Sequence, residues 1–249
     1  MEGIIRLMAL LLIGIGLQQL HLISVFSVDG KPDPYIYGLC TVLKYRNDSE
    51  YESNVNAVLE HLVNAADKSD GFATYSHGQV KGLLQCRGDV SDNECQKCST
   101  KASQMAYEDC PNAIGARIQM EFCFIRYENY NFESVLDTDV VFSVENVKSN
   151  SDIHGFNKTL ENLLESLAGK APSNVKRFAA KSSEVHSDSV TIYGLEMCLR
   201  SLAEHDCGVC LRTAIAAMNQ YGYSSQVGLQ MFMGSCTIRF EIYPFYNKD

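Results

Sequence analysis

Ten cysteines offer the most distinctive chemistry in this 249-residue chain, and their spacing repeats. A triplet with eight and then two residues between its members occurs twice, as Cys86, Cys95 and Cys98 and as Cys198, Cys207 and Cys210. Cysteines separated by two residues can bind zinc, form a redox dithiol, or join other cysteines in structural disulfides. A four-thiolate zinc site would need ligands from both copies, and a redox dithiol does not need the third cysteine that precedes each pair. Structural disulfides are therefore expected, with no metal and no cofactor.

Two cysteines of the first copy have no counterpart in the second. The positions equivalent to Cys40 and Cys110 fall near Val141 and Gly222, which are not cysteines. Cysteines that are lost together are most simply partners, so a Cys40–Cys110 bridge is predicted.

The other cysteines of each copy allow two pairings, because two cysteines three positions apart on a helix cannot comfortably bridge each other. In the first copy these are Cys86–Cys95 with Cys98–Cys123, or Cys86–Cys98 with Cys95–Cys123. The second copy leaves the same choice among Cys198, Cys207, Cys210 and Cys236.

The residues around the cysteines repeat as well, which predicts two tandem domains over 28–133 and 134–249. The segments 123–128 and 236–241 match, as do 56–62 and 157–163. Apolar residues at helical spacing over 55–66 and 156–167 predict one helix in each copy, with Ser53 as the N-cap of the first. A second helix begins near Cys95 and near Cys207, and strands are expected within 116–127 and 227–243. Helices followed by strands indicate an α+β fold, two helices packed on an antiparallel sheet.

The first 27 residues are typical of a secretory signal peptide. An apolar run covers 7–17, and Val25 and Ser27 supply the small residues of a cleavage site. An uncleaved membrane anchor is the alternative, but polar residues interrupt the run. No second long apolar run follows, so the mature chain is expected to lack a membrane span. The sequons at Asn47 and Asn157 fit an extracellular glycoprotein.

Charge and motifs exclude several functions. The formal net charge is −9 and the pI is about 5.2, with no basic stripe, which argues against a nucleic-acid partner. No nucleophile elbow, metalloprotease motif, phosphate loop or dinucleotide fingerprint occurs. Of the six histidines, His21 falls in the signal peptide and the others share no repeat position. The chain is therefore expected not to be an enzyme.

The duplicated cysteine spacing behind a signal peptide, together with the segments 112–120 and 123–128, resembles the plant cysteine-rich repeat secretory proteins. Their module is the stress-antifungal, or ginkbilobin-homologous, domain. The resemblance covers roughly 33–245 and implies an antiparallel sheet carrying two helices. It also implies three bridges in a complete domain and the first of the two pairings above.

The resemblance further implies a mannose site. Ginkbilobin binds mannose through an asparagine, an arginine and a glutamate, which correspond here to Thr41, Arg117 and Glu128. In the second domain Glu241 remains but Gly228 replaces the arginine, so that site is expected to be non-functional. One straight strand would hold Arg117 about 36 Å from Glu128. A shared ligand therefore requires a bend between them, and the second copy is expected to carry an extra residue at the bend, at 234–235.

Two functions follow from the resemblance. The first is a secreted plant defence protein of the apoplast, an antifungal lectin-like protein that binds cell-wall or fungal mannose-type glycans. The second is an extracellular protein-interaction module in signalling, a soluble relative of cysteine-rich receptor-like kinase ectodomains that binds receptor proteins. A polar cleft holding Thr41, Arg117 and Glu128 would favour the first function, and a flat apolar surface would favour the second.

Overall fold

The structure is a computed structural model that describes residues 35–146, 148–150, 153–185 and 189–247. The predicted signal peptide, with its cleavage residues Val25 and Ser27, lies outside the described residues. So do His21 and His186. Within the described residues, none of the helices combines the length and the apolar character needed to cross a membrane.

The first half of the described chain is a five-stranded antiparallel sheet with two helices. The strand order is β1-β4-β5-β3-β2. The elements are β1 (Tyr35–Cys40), α1 (Glu50–Ala65), β2 (Phe72–His77), β3 (Val80–Cys86), α2 (Asp92–Asp109), β4 (Ala116–Met120) and β5 (Cys123–Glu128).

The second half repeats this arrangement, with strand order β6-β9-β10-β8-β7. The predicted α+β fold is therefore confirmed in both copies. The elements are β6 (Val140–Glu145), α3 (Phe156–Ala168), β7 (Phe178–Val185), β8 (Val190–Cys198), α4 (Glu204–Gln220), β9 (Leu229–Met233) and β10 (Cys236–Glu241).

The two halves belong to one compact unit, Pro34–Asp249. The predicted domain boundary between residues 133 and 134 falls in the connection from β5 to β6 and stays a prediction.

Local hydrogen bonds decide where the first helix begins. The side chain of Ser49 accepts a hydrogen bond from the backbone N–H of Glu52, so Ser49 is the N-cap of α1. Ser53, the predicted cap, lies inside the helix, and that prediction is wrong by one turn. Helix α2 begins with a reciprocal capping box between Ser91 and Glu94.

One face of each sheet packs against its helices, and a glycine allows the close approach. A Cβ atom placed on Gly82 would lie 2.3 Å from Val58 Cγ1, and one on Gly194 would lie 3.0 Å from Leu163 Cδ2. The two glycines occupy equivalent positions of β3 and β8, so Val58 of α1 corresponds to Leu163 of α3. The sequence match of 56–62 with 157–163 is therefore displaced by one helical turn.

Five disulfides attach α2 and α4 to the sheets and join β1 to the end of α2. They are Cys40–Cys110, Cys86–Cys95, Cys98–Cys123, Cys198–Cys207 and Cys210–Cys236. Of the two pairings left open by spacing, the structure has the first in both halves. Each bridge closes a loop in the unfolded chain and so limits its conformational entropy.

Candidate functional site

A hairpin brings the predicted sugar-binding residues to one end of the first sheet. Strands β4 and β5 are antiparallel neighbours, and Arg117 lies directly opposite Arg126. The chain reverses at residues 121–122, which supplies the bend that a shared ligand requires. Glu128 ends β5 two residues beyond Arg126 and therefore faces the same side of the sheet.

Thr41 and Glu128 meet at Gly115. The backbone N–H of Thr41 donates to the carbonyl of Gly115, and the N–H of Gly115 donates to Thr41 Oγ1, both at 2.9 Å. A Cβ atom on Gly115 would lie 2.0 Å from Glu128 Oε2 and 3.0 Å from Thr41 Cγ2. Only glycine can stand between these two side chains without displacing one of them.

The arginine that binds Glu128 is Arg126, and Arg117 binds elsewhere. Arg126 Nε donates to Glu128 Oε1 at 3.0 Å. Arg117 forms its ion pair with Asp137, at 3.9 Å. Burial lowers the pKa of the Arg117 guanidinium, and the positive charge of Arg126 lowers that pKa further. Sequence reasoning missed Arg126, although its position beside the glutamate is repeated as Arg239 in the second copy.

These charged groups are covered. Only 9% of Arg117 and 7% of Glu128 is exposed. The guanidinium of Arg126 stacks 4.2 Å from the ring of Phe132 and donates to the hydroxyl of Tyr130 at 2.9 Å. Both aromatic residues belong to the connection that follows β5, so this connection covers the Arg126–Glu128 pair.

The second half packs against the face of the first sheet that carries Arg117 and Glu128. Tyr37 of β1 lies 5.1 Å from Phe142 of β6 and 5.4 Å from Phe232 of β9, measured between ring centroids. Arg117 lines a cavity of about 30 Å³ together with residues 233–237 of the second half. Such a cavity holds water molecules at most and is far too small for a sugar ring.

Polar contacts align the two halves. Gln85 is 1% exposed, and its side chain reaches across to the second half. Its Nε2 donates to the carbonyl of Cys198, and its Oε1 accepts from the backbone N–H of Arg200, both at 2.8 Å. Glu121 accepts hydrogen bonds from Arg87 of its own half at 2.6 Å and from Arg239 of the other at 2.7 Å.

Strand pairing corrects two of the predicted equivalences. Ala116 faces Tyr127 in the first hairpin, and Leu229 faces the equivalent Phe240 in the second. Gly228 therefore corresponds to Gly115, and Gln230, not Gly228, stands where Arg117 does. The separation between paired residues is the same in both hairpins, so residues 234–235 contain no extra residue. The insertion precedes β9 instead.

The same register places Asn146 at the position of Thr41. Cys40 pairs with Ala116, and Glu145 pairs with the equivalent Leu229, so Glu145 corresponds to Cys40 and Val141 does not. The next residue, Asn146, donates its backbone N–H to the carbonyl of Gly228 at 2.9 Å, as Thr41 does to Gly115.

The second half thus presents Asn146, Gln230 and Glu241 where the first presents Thr41, Arg117 and Glu128. Burial raises the pKa of Glu241, and nearby Arg239 opposes that rise. The asparagine that the resemblance implies is present in one half, and the arginine in the other.

Exposed apolar side chains lie beside the covered charges. Strands β1 and β6 are the outer strands of their sheets, and the Tyr37–Phe142 contact joins them. We call five side chains on and just after these strands the edge patch. Its members, with their exposed fractions, are Leu39 (46%), Val42 (93%), Leu43 (68%), Val140 (37%) and Val144 (49%).

The cysteine framework and the repeated sheet have a match among known families. The salt stress response/antifungal family (Stress-antifung) matches the chain twice, over residues 39–130 and 143–243. The chain belongs to this family. Its two matches correspond to the two sheets described above.

Two relatives and a solved structure each match more than four fifths of the chain. An antimicrobial ginkbilobin-2-like protein of Castanea crenata is 34% identical, covering 86% of this chain and 90% of its own. Cysteine-rich repeat secretory protein 55 of Arabidopsis thaliana is 33% identical, covering 85% and 83%. The tandem DUF26 ectodomain of the Arabidopsis thaliana cysteine-rich receptor-like protein PDLP8 is 27% identical, with a TM-score of 0.73, covering 83% and 97%.

Proposed function

We propose that this chain acts outside the cell as a tandem protein-interaction module and that the edge patch is its contact surface. One observation carries the proposal. The charged residues of the predicted sugar site are covered by the second half and by the connection between the halves, whereas apolar side chains beside them are exposed.

The exposed side chains suit a protein partner. Val42 and Leu43 directly follow Thr41 in the chain, and they are 93% and 68% exposed. Three members of the edge patch, Leu39, Val42 and Leu43, lie within five consecutive residues, and large exposed apolar patches are typical of contact surfaces. The names of the similar proteins support an extracellular setting, since one is a secretory protein and another is the ectodomain of a receptor-like protein. The partner class is an extracellular receptor protein.

Cross-linking in extracellular fluid tests this function. We expect the wild-type protein to recover a reproducible protein partner, and a Leu39→Asp, Val42→Asp, Leu43→Asp variant to recover at least about tenfold less of it. Val175→Asp is the matched control, because Val175 is 75% exposed but lies outside the edge patch. Equal recovery by the triple variant, or no reproducible partner for the wild type, would refute the proposal.

A glycan-binding function in defence is the second candidate. Thr41 is partly exposed and stands beside Glu128, and a relative of 34% identity is named as antimicrobial. A hydroxyl and a carboxylate at this spacing can both bond to sugar hydroxyls.

Calorimetric titration of the oxidised protein with mannan separates the two functions. The protein-interaction proposal predicts no saturable heat for the wild type and none for Thr41→Asn, which restores the implied asparagine. Saturable binding that strengthens in Thr41→Asn and disappears in an Arg117→Ala, Glu128→Ala variant would establish the glycan-binding function instead.

A further inference from the structure

A glutamate is buried in the apolar core of the second half. Glu196 of β8 is fully buried, with 0% exposure. Its strand neighbours are Ile238 of β10 and Ala179 of β7. Neither carboxyl oxygen has a hydrogen-bond partner among the residues that the structure describes. An ionised carboxylate without a partner is very unfavourable in such a place.

The first half has a leucine at the equivalent position. Leu84 of β3 pairs with Ile125 and Ala73, the equivalents of Ile238 and Ala179, and it is also fully buried. The fold therefore accepts leucine at this point and does not require an acid. Glu196 is therefore a titratable group at a position that the first half fills with an apolar side chain.

The charges around Glu196 do not favour its ionised form. On α3 the facing charged group is Glu165, whose negative charge opposes ionisation. On β7, Lys181 shares the face of Ala179 but is exposed, and Arg177, just before β7, is paired with Glu204 at 3.5 Å. The core residues that β10 and α4 contribute to this side are uncharged. Burial, followed by Glu165, raises the pKa of the Glu196 carboxyl well above 4.5.

Helix α3 packs on the sheet above Glu196 without a covalent link to it. It packs on β8 through Leu163 and Leu167, which approach Gly194, two residues before Glu196 on the same face. It contains no cysteine, whereas a disulfide joins α4 to each of two strands. Neither helix has a side-chain cap at its N-terminus, so the disulfides are what distinguishes α4 from α3.

We propose that Glu196 is a pH-sensitive switch, which keeps α3 packed on the second sheet while the carboxyl group is protonated and loosens it when the carboxylate forms. An opened α3 would admit water to the carboxylate, so the open state has a carboxyl pKa near the ordinary value. The packed state therefore binds the proton more strongly than the open state. The protonated carboxyl therefore stabilises the packed state relative to the open state. This contribution is fully present below pH 4.5 and decreases as pH rises towards the raised pKa of Glu196. Above that pKa the stability of the packed state no longer changes with pH.

Hydrogen exchange of the full-length oxidised protein, followed by mass spectrometry across pH and corrected for intrinsic rates, tests the switch. Between pH 4.5 and the raised pKa of Glu196, one proton is released when α3 opens. The protection of α3 against exchange should therefore fall about tenfold for each pH unit in this range. Glu196→Leu, which installs the residue of the first half, and Glu196→Gln should both remove this dependence. Helix α1 in the same samples and the Glu165→Gln variant, which should keep the dependence, are the controls.

Two results would overturn the proposal. One is equal pH dependence of α3 protection in the wild type and in Glu196→Leu. If neither variant folds, carbon NMR of the wild-type carboxyl groups decides, and a Glu196 midpoint at or below 4.5 would contradict the switch.

Discussion

Replacing Gln85 by alanine should weaken the attachment of the two halves. The side chain satisfies the carbonyl of Cys198 and the backbone N–H of Arg200, both at 2.8 Å and both in the second half. Gln85 is 1% exposed, so its removal leaves both groups buried. Each buried backbone group left without a partner costs about 1–3 kcal/mol. For the two groups we expect a loss of about 2–6 kcal/mol in the free energy of unfolding.

Urea unfolding of the oxidised protein measures this loss. Gln220→Ala is the control, because Gln220 is exposed at the end of α4, and its replacement should change the free energy by less than about 0.5 kcal/mol. A Gln85→Ala variant as stable as that control would contradict the contact between the two halves at Gln85.

Three further predictions concern the first half. Ser49→Ala should destabilise the protein by about 1 kcal/mol in urea unfolding, because α1 loses its N-cap. Ser53→Ala should have little effect, and a larger loss for Ser53→Ala than for Ser49→Ala would contradict the cap at Ser49. Replacing both Cys40 and Cys110 by serine should lower the free energy of unfolding by about 4 kcal/mol, since the bridge closes a loop of 70 residues. An unchanged urea midpoint would contradict this contribution of the bridge. Burial raises the pKa of Tyr51 to about 12, so the free energy of unfolding should fall as pH rises from 10 to 12. The change is checked by tyrosinate absorbance, recorded against pH for the wild type and for Tyr51→Phe. The difference between the two curves should have its midpoint near 12, and a midpoint near 10 would contradict the prediction.

Features encoded by nearby residues could be predicted from the sequence. Cysteine spacing and apolar periodicity indicate four helices, strand-forming residues at the end of each copy and the α+β class. These signals are local, or they occur in both copies, so one copy supports the other. The cap at Ser53 was wrong because Ser49 and Ser53 are one helical turn apart, and only the hydrogen bond to Glu52 distinguishes them.

Features that depend on packing between distant segments could not be predicted. The equivalence of Gly228 with Arg117 failed because the insertion precedes β9, and strand pairing alone reveals the correct register. The covering of Arg117 could not be foreseen, since it depends on how the second sheet lies against the first. Arg126 was missed, although its recurrence as Arg239 beside a glutamate is a signal in the sequence.

Chemical modification of arginine under native conditions tests most directly whether Arg117 is covered. The oxidised protein is treated with phenylglyoxal, and modified sites are mapped by mass spectrometry over time. Arg46 is exposed and serves as the internal reference, whereas Arg117 is 9% and Arg126 is 6% exposed. We predict that Arg46 reacts first and that Arg117 and Arg126 react only after the protein is unfolded. Native modification of Arg117 at the rate of Arg46 would contradict the account, because the predicted sugar site would then be open.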